Sequence, residues 1–340
     1  MPLREQLQRL MAGESLTRAQ SAAAMDSMLD GAAPISQMAG LLVALRMKGE
    51  TPDEIAGAAQ AMRARAARVE VSQHRLIDTC GTGGDGSHTF NISTTAAFVA
   101  AAGGARVAKH GNRAVSSKCG SADVLAALGA QVELSPEAVA ACIDECGIGF
   151  LFAPRHHAAM KDVAPVRKDL GMRTLFNLLG PLTNPAGARR QLLGVYSAQL
   201  VPVLARTLAE LGCDRAFVVH GAGGLDEIST SGASLMCEVR GSEVRQFEVT
   251  PEQLGLPREE LSALRGGDAA ENAELLRGVL RGEPGARRTA VVMNAGAALA
   301  AAGVSEEIVD GVRLAERAID SGAALDRLDR FLAATQRASP

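Results

Sequence analysis

Over the first seventy positions apolar residues return at helical spacing: Leu3, Leu7, Leu10 and Met11, then Met25, Met28 and Leu29, then Met38, Leu41, Leu42 and Leu45. A further helix opens at Thr51-Pro52-Asp53-Glu54. Thr51 suits the N-cap, Pro52 the first helical position, and Glu54 the return arm of a capping box. The pattern predicts four short helices and no strand, a small helical unit over residues 1–72 that closes after the Arg-rich stretch 63–68.

From Arg75 the period changes. RLIDTC, ARVAKH, IGFLFA, QLLGVYS, RAFVVHG and TAVVMNAG (289–296) are short apolar runs of strand length, with helical stretches at 94–102, 121–128 and 135–146 among them. Such alternation predicts an α/β domain over 73–340, with a mostly parallel central sheet covered by helices on both faces. SLMCEVRGSEVRQFEVT (234–250) reads as a β-hairpin turning at Gly241. A helix over 305–321, stopped by Gly322, is expected to close the chain. MKDVAPVRKDLGMRTLFNLLGPLTNPAG (160–187) breaks the alternation with prolines, basic residues and helical spacing. It reads as a return into the helical unit, which makes that unit discontinuous and sets a cleft between the two parts.

Composition then excludes several classes. The net charge is −3, aromatic residues are 3% of the chain and tryptophan is absent, so neither a polyanion-binding surface nor base stacking is indicated. The six cysteines are scattered without a CxxC pair, which fits reduced thiols in a cytoplasm better than a zinc site or a disulfide framework. The amphipathic start MPLREQLQRLMAGESL is unlike a signal peptide, and no apolar segment is long enough to span a bilayer. A cytoplasmic protein with no membrane and no nucleic-acid partner is expected.

Candidate chemistry concentrates between Asp78 and Ser121. Gly81-Thr82-Gly83-Gly84-Asp85-Gly86 follows an apolar run and matches the G-x-G-x-x-G of dinucleotide sites. In those sites the helix starts inside the glycines and an acidic residue about twenty positions on holds a ribose. Here Ser87 to Asn91 intervene, and Arg106 to Lys109 occupy the later region. On this loop alone a nicotinamide site, a bare turn and a phosphate cradle stay open. Asn91-Ile92-Ser93-Thr94-Thr95 reads as a helix N-terminus, able to be capped by its side chains or to meet an anion. Lys109-His110-Gly111-Asn112-Arg113, with Ser116, Ser117, Lys118 and Ser121, forms a second loop, for which plain solvation is the alternative. Two such loops flanking one helix suit a ligand with more than one phosphate group. Asp226 and Glu227 repel each other unless a cation offsets them, and Mg²⁺ takes one or two carboxylates together with ligand phosphates. An exposed acidic turn is the alternative there. His156, His157, Arg167 and Arg173 lie in or near the interrupting stretch, and an arginine fork would suit a carboxylate. His74, His88 and His220 read as structural or surface residues.

DTCGTGGDG (78–86), FNIST (90–94), KHGNRAVSS (109–117), GMRTLFNLLGPLTNPA (171–186) and GLDEIS (224–229) together resemble the anthranilate phosphoribosyltransferase family, over nearly the full length. That family joins anthranilate to 5-phosphoribosyl-1-pyrophosphate (PRPP) in tryptophan biosynthesis. The resemblance implies a helical domain hinged to an α/β domain of the nucleoside phosphorylase and phosphoribosyltransferase kind, a homodimer, and Mg²⁺ at two ions per active site. It implies PRPP contacts at Gly81, Gly83, Gly84, Asp85, Thr89, Asn91, Ile92, Ser93, Thr94, Lys109, Asn112, Arg113, Ser116, Ser117 and Ser121. It also implies an anthranilate path lined by Gly81, His110, Asn112, His157, Arg167, Gly180 and Pro181, with Arg167 near the carboxylate. Metal would be held by Ser93, Asp226 and Glu227, and no residue would act as a nucleophile or obligatory base. Ala158 is a departure, since the motif more often reads His-Pro. A pyrimidine-nucleoside phosphorylase, similar in fold and phosphate loop, is the nearest alternative. A catalytically silent relative that binds nucleic acid is a second. The Asp226-Glu227 pair and the KHGNR loop favour PRPP over the first, and the balanced charge with the intact pair speaks against the second.

Overall fold

A computed structural model describes residues 2–114 and 118–338. Four helices come first: α1 (Pro2–Met11), α2 (Arg18–Leu29), α3 (Ile35–Lys48) and α4 (Pro52–Arg65). Thr17 and Thr51 each complete a capping box, with Gln20 and Glu54 reaching back. Glu54 does more than cap. Its fully buried carboxylate accepts from the Thr51 N–H (2.8 Å), the Leu16 N–H (2.9 Å) and Lys48 Nζ (2.9 Å), which ties three segments together. Helices α2 and α4 meet at Gly57, where an added Cβ would stand 2.1 Å from the Arg18 carbonyl oxygen.

The α/β part begins with β1 (Leu76–Ile77), α5 (Ile92–Ala102), β2 (Arg106–Gly111), α6 (Ser121–Ala127), α7 (Pro136–Cys146) and β3 (Ile148–Phe152). Short helices α8 (Ala153–His156), α9 (Ala164–Leu170) and α10 (Phe176–Leu179) carry the interrupting stretch. Then come β4 (Arg190–Gly194), α11 (Leu200–Glu210), β5 (Arg215–His220), β6 (Ser234–Arg240) and β7 (Glu243–Val249). Helices α12 (Ala269–Leu280), α13 (Ala286–Ala301), α14 (Ile308–Asp320) and α15 (Ala323–Arg337) complete the described chain. None of the described helices is long and apolar enough to cross a membrane.

Strands β1, β2 and β3 pair in parallel, as do β4 and β5, and a parallel Asp78–Gln191 bridge joins the two sets. The resulting order is β3-β2-β1-β4-β5-β6-β7, antiparallel only at the hairpin end, where Gly241 takes φ +60° in the turn. This is the mostly parallel sheet that the alternation predicts. Side chains alternate between two cores, as a period of two requires. Phe217, Val219 and Met236 join α5 and α13 on one face. Ala216, Val218, Cys237 and Val239 join α11 and the helical unit on the other. Val163, Val166, Leu175, Phe176, Leu179 and Leu182 of the interrupting stretch are buried in that second core beside Met25, Leu41 and Ile55.

Two expectations need correction. TAVVMNAG is not a strand but the middle of α13. That helix is enclosed on all sides, so no polar face marks its period, and a short wholly apolar run cannot separate strand from helix. Asn294 survives inside it because its amide donates to the Ala290 and Ile228 carbonyls and accepts from the Ile228 N–H. Nor does the chain close at Gly322. That residue (φ +79°) ends α14 and turns the backbone into α15, whose Phe331 returns to the core against Phe98 with ring centroids 5.5 Å apart.

Gly57→Ala tests the α2–α4 contact. On an open helix surface this exchange raises stability by up to about 1 kcal/mol. Here it should lower stability by about 1–3 kcal/mol, because the methyl meets backbone. Denaturant midpoints measure the difference, and a variant as stable as the parent would show that the helices do not meet so closely.

Candidate active site

Strand β1 leads to β2 on one side and β4 leads to β5 on the other. The crevice at their C-terminal ends is therefore a topological switch point, where open α/β sheets bind their ligands. The loops after β1, β2 and β5 meet there, and small residues let them approach. An added Cβ on Gly194, at the end of β4, would stand 1.5 Å from the Asp226 carbonyl oxygen. One on Gly81 would stand 3.0 Å from Asp226 Oδ2 and 3.2 Å from the Gly194 carbonyl oxygen.

Backbone donors and carboxylates converge in this crevice. The Gly83 N–H donates to Asp226 Oδ2 at 2.8 Å, and the Ser93 N–H donates to Glu227 Oε1 at 3.1 Å. The Asp226 N–H donates to Asp85 Oδ2 at 3.2 Å, while Ser87 holds both Asp85 oxygens from its N–H and hydroxyl. Burial pushes the Asp226 carboxyl well above the usual range, with Asp85 beside it adding repulsion. Burial and the neighbouring Asp226 do the same to Glu227. Neither Asp226 nor Glu227 forms a salt bridge with a basic side chain among the described residues. Clustered oxygen donors whose charge burial makes costly are what a hard divalent cation relieves, so the donor set fits Mg²⁺.

Around these groups stand the other residues of the two loops. Thr89 bridges to Arg265 in antiparallel fashion, and Ile92 and Thr94 are buried at the start of α5. Asn91 sits at the N-cap but does not cap with its side chain. Its Oδ1 accepts from Asn272 Nδ2 of α12 at 3.0 Å instead, leaving the α5 N-terminus to the Glu227 carboxylate. Lys109 is buried, with Nζ 3.0 Å from the Thr79 carbonyl oxygen. Gly111 leaves room for Ser121, whose hydroxyl would stand 2.2 Å from a Cβ there and which donates to the Asn112 carbonyl at 3.3 Å. Asn112 Oδ1 accepts from the Arg113 N–H at 2.8 Å. The Arg113 guanidinium lies half-exposed between Asp123 and Glu133, each 3.4 Å away, and over Phe152. Ser116 and Ser117 lie outside the described residues.

The histidines form a second group. His110 Nδ1 is 2.9 Å from the Gly180 carbonyl oxygen, and its ring centroid is 5.2 Å from that of His157. Both rings are buried, and neither Nε2 has a hydrogen-bond partner among the described residues. Burial, helped by His157 at one ring and by His156 at the other, holds His110 down to about 3 and His157 to about 4, so both are neutral at pH 7. The Pro181 carbonyl next to Gly180 accepts from Gln191 Nε2 at 2.7 Å. Arg167, on α9, stacks over Phe176 at 5.3 Å, and burial lowers its pKa. Arg173 is committed elsewhere: it donates to the Gly84 carbonyl and lies over the Tyr196 ring.

Some supporting residues have no individual reading in the sequence. The buried Asp78 carboxylate accepts from the His110 N–H (3.1 Å) and from Asn184 Nδ2 (2.7 Å), joining β1, β2 and the stretch before β4. Asp78, Cys80 and His110 could bring one ligand atom each within 4.8 Å. Both Asp78 oxygens are already engaged, however, and burial raises the Cys80 thiol far above its ordinary value, so this cluster reads as scaffold. Asn184 lies inside a recognisable motif, whereas Asn272 carries no local signal.

Residues 73–325 match the a/b domain of the glycosyl transferase family, and residues 4–66 match its helical bundle domain. The chain is 58% identical over 333 residues to an anthranilate phosphoribosyltransferase of Anaeromyxobacter sp. (strain K), covering 98% of each. It is 54% identical to that of Rubrobacter xylanophilus, again covering 98% of each. The crystal structure of the Thermus thermophilus enzyme superposes with a TM-score of 0.92 at 47% identity, covering 97% of this chain and 99% of that one. The Saccharomyces cerevisiae enzyme, solved in complex with PRPP and Mg, gives 0.88 at 29% identity and 98% coverage of each. With the switch-point crevice and its carboxylates in the same chain, the conclusion is that it belongs to the anthranilate phosphoribosyltransferase family.

Proposed function

We propose that this chain transfers the phosphoribosyl group of PRPP to the amine of anthranilate, giving N-(5-phosphoribosyl)anthranilate and pyrophosphate, the second step of tryptophan biosynthesis from chorismate. The observation that carries the reading is the convergence of the Gly83 and Ser93 N–H groups with Asp85, Asp226 and Glu227 at the switch point. The 81–86 loop, Thr89 and the start of α5 (Asn91 to Thr94) hold the pyrophosphate and ribose. Lys109, Asn112, Arg113, Ser116, Ser117 and Ser121 serve the remaining phosphate. Ser93, Asp226 and Glu227 hold Mg²⁺, two ions per site. When bound, the metal offsets the charge that collects on the departing pyrophosphate.

The chain's own residues do the rest by placement. The Gly83 and Ser93 N–H groups, now on carboxylates, are donors of the right kind for phosphate oxygens. Anthranilate's aromatic amine is neutral and already has its lone pair, so no general base is required. What it needs is alignment with the anomeric carbon, which closure of the cleft supplies. Neutral His110 and His157, with Asn112, Gly180 and Pro181, line its path without setting positive charge beside the carbon where positive charge develops. Arg167 meets the anthranilate carboxylate. The helical unit, 1–72 with 160–187, closes on the α/β domain of 73–340, and two copies pair through it in the cytoplasm.

Anthranilate fluorescence should fall with time only when PRPP and Mg²⁺ are both present. Emission that stays level with all three would remove the proposal. Asp226→Asn combined with Glu227→Gln should cut turnover and raise the Mg²⁺ concentration for half-maximal rate at least about tenfold. An unaltered Mg²⁺ titration would contradict the metal assignment. The buried histidines make one contribution to stability depend on pH. The unfolded chain takes up their protons below about pH 6.5. The folded chain resists until about 4 at His157 and about 3 at His110. Between these values each ring binds a proton only in the unfolded state, so its own contribution to stability falls as pH falls, by up to about 1.4 kcal/mol per pH unit. The raised carboxyls of Asp226 and Glu227 act in the opposite sense. His157→Gln removes one ring's loss, so the stability difference between pH 5 and pH 7 should shift in favour of pH 5 by about 2 kcal/mol relative to the parent, and an unchanged difference would argue against a neutral buried ring.

A further inference from the structure

Arg173 is not used in the reading above. It lies on the turn between α9 and α10, two residues before Leu175, which is buried in the core that the helical unit shares with one face of the sheet. From there its guanidinium carbon sits 4.1 Å from the centroid of the Tyr196 ring, and Nη2 donates to the Gly84 carbonyl. Tyr196, just after β4, grips the same loop from its backbone: its N–H donates to Thr82 Oγ1 at 3.2 Å, and the Thr82 N–H donates to the Gly194 carbonyl at 2.9 Å. Gly83 is thus held on both sides. The loop needs holding, because Gly83, Gly84 and Gly86 take φ of +65°, +73° and +77°. Glycines have the most conformational freedom to lose on ordering. A trans peptide sets its N–H opposite its C=O. The hold on the Gly84 carbonyl therefore also fixes the direction of the Asp85 N–H.

We propose that Arg173 is a positioning residue: seated on Tyr196, it fastens the glycine loop from the return stretch of the helical unit and keeps the loop shaped for diphosphate. The inference rests on the reading of that loop as the PRPP cradle. Arg173→Ala should raise KM for PRPP about tenfold while leaving kcat at saturating PRPP within about twofold and KM for anthranilate unchanged, a loss of about 1.4 kcal/mol in binding. Arg173→Lys keeps a cation over the ring and a donor for one carbonyl, and should recover part of that loss. Tyr196→Leu removes the seat and should repeat the Ala effect. A role confined to stability would lower the melting temperature without this split between KM and kcat.

Tyr196 is the single tyrosine in a chain without tryptophan, so tyrosine emission reports on the clamp directly. Pyrophosphate titrated with Mg²⁺ should change the emission of the parent protein, and the Arg173→Ala variant should need about tenfold more pyrophosphate for the same change. If that variant starts from altered emission yet binds pyrophosphate and PRPP as the parent does, the clamp positions nothing and the inference fails. If the parent neither responds to pyrophosphate nor consumes PRPP, the cradle reading itself falls, and the inference with it.

Discussion

The contact on which the rest depends is electrostatic: two carboxylates rest on two backbone amides. Asp226 accepts from Gly83 and Glu227 from Ser93, and these bonds pull the β5 loop onto the β1 loop and the start of α5. Without them the crevice would be lined by unanswered N–H groups on one side and self-repelling carboxylates on the other. The arrangement is polarised before any ligand arrives, and its charge balance is incomplete. A cation on the carboxylates and an anion on the amides would each complete one half.

This meeting of loops is a matter of size as much as of charge. Gly194 and Gly81 let the Asp226 backbone come within contact distance of β4, and Gly111 lets Ser121 lie over β2. A methyl at Gly194 or Gly111 would occupy space held by a carbonyl or a hydroxyl. The switch point supplies the crevice, and the missing side chains bring its walls close enough for one small ligand to touch them all.

How much of this was legible depended on distance along the chain. The capping box of Thr51 and Glu54 spans four residues and could be read directly, as could the hairpin at Gly241 and the strands around the crevice. The motifs contain the N–H donors and carboxylates that meet in the crevice. What escaped was set by partners far away in sequence. The side chain of Asn91 turns from its helix because Asn272 waits 181 positions on, and Arg173 answers to a carbonyl 89 positions back. The misreading of 289–296 had another cause: complete burial erases the polar face from which periodicity is judged.

The interrupting stretch has a consequence for how the molecule could be taken apart. The helices between β3 and β4 pack beside Met25, Leu41 and Ile55 of the first four helices. Residues 3–62 and 163–182 contribute to one apolar core. Cleavage after α4 or after β3 would leave a share of that core on each fragment. The pieces would stay interlocked by packing instead of separating as two domains.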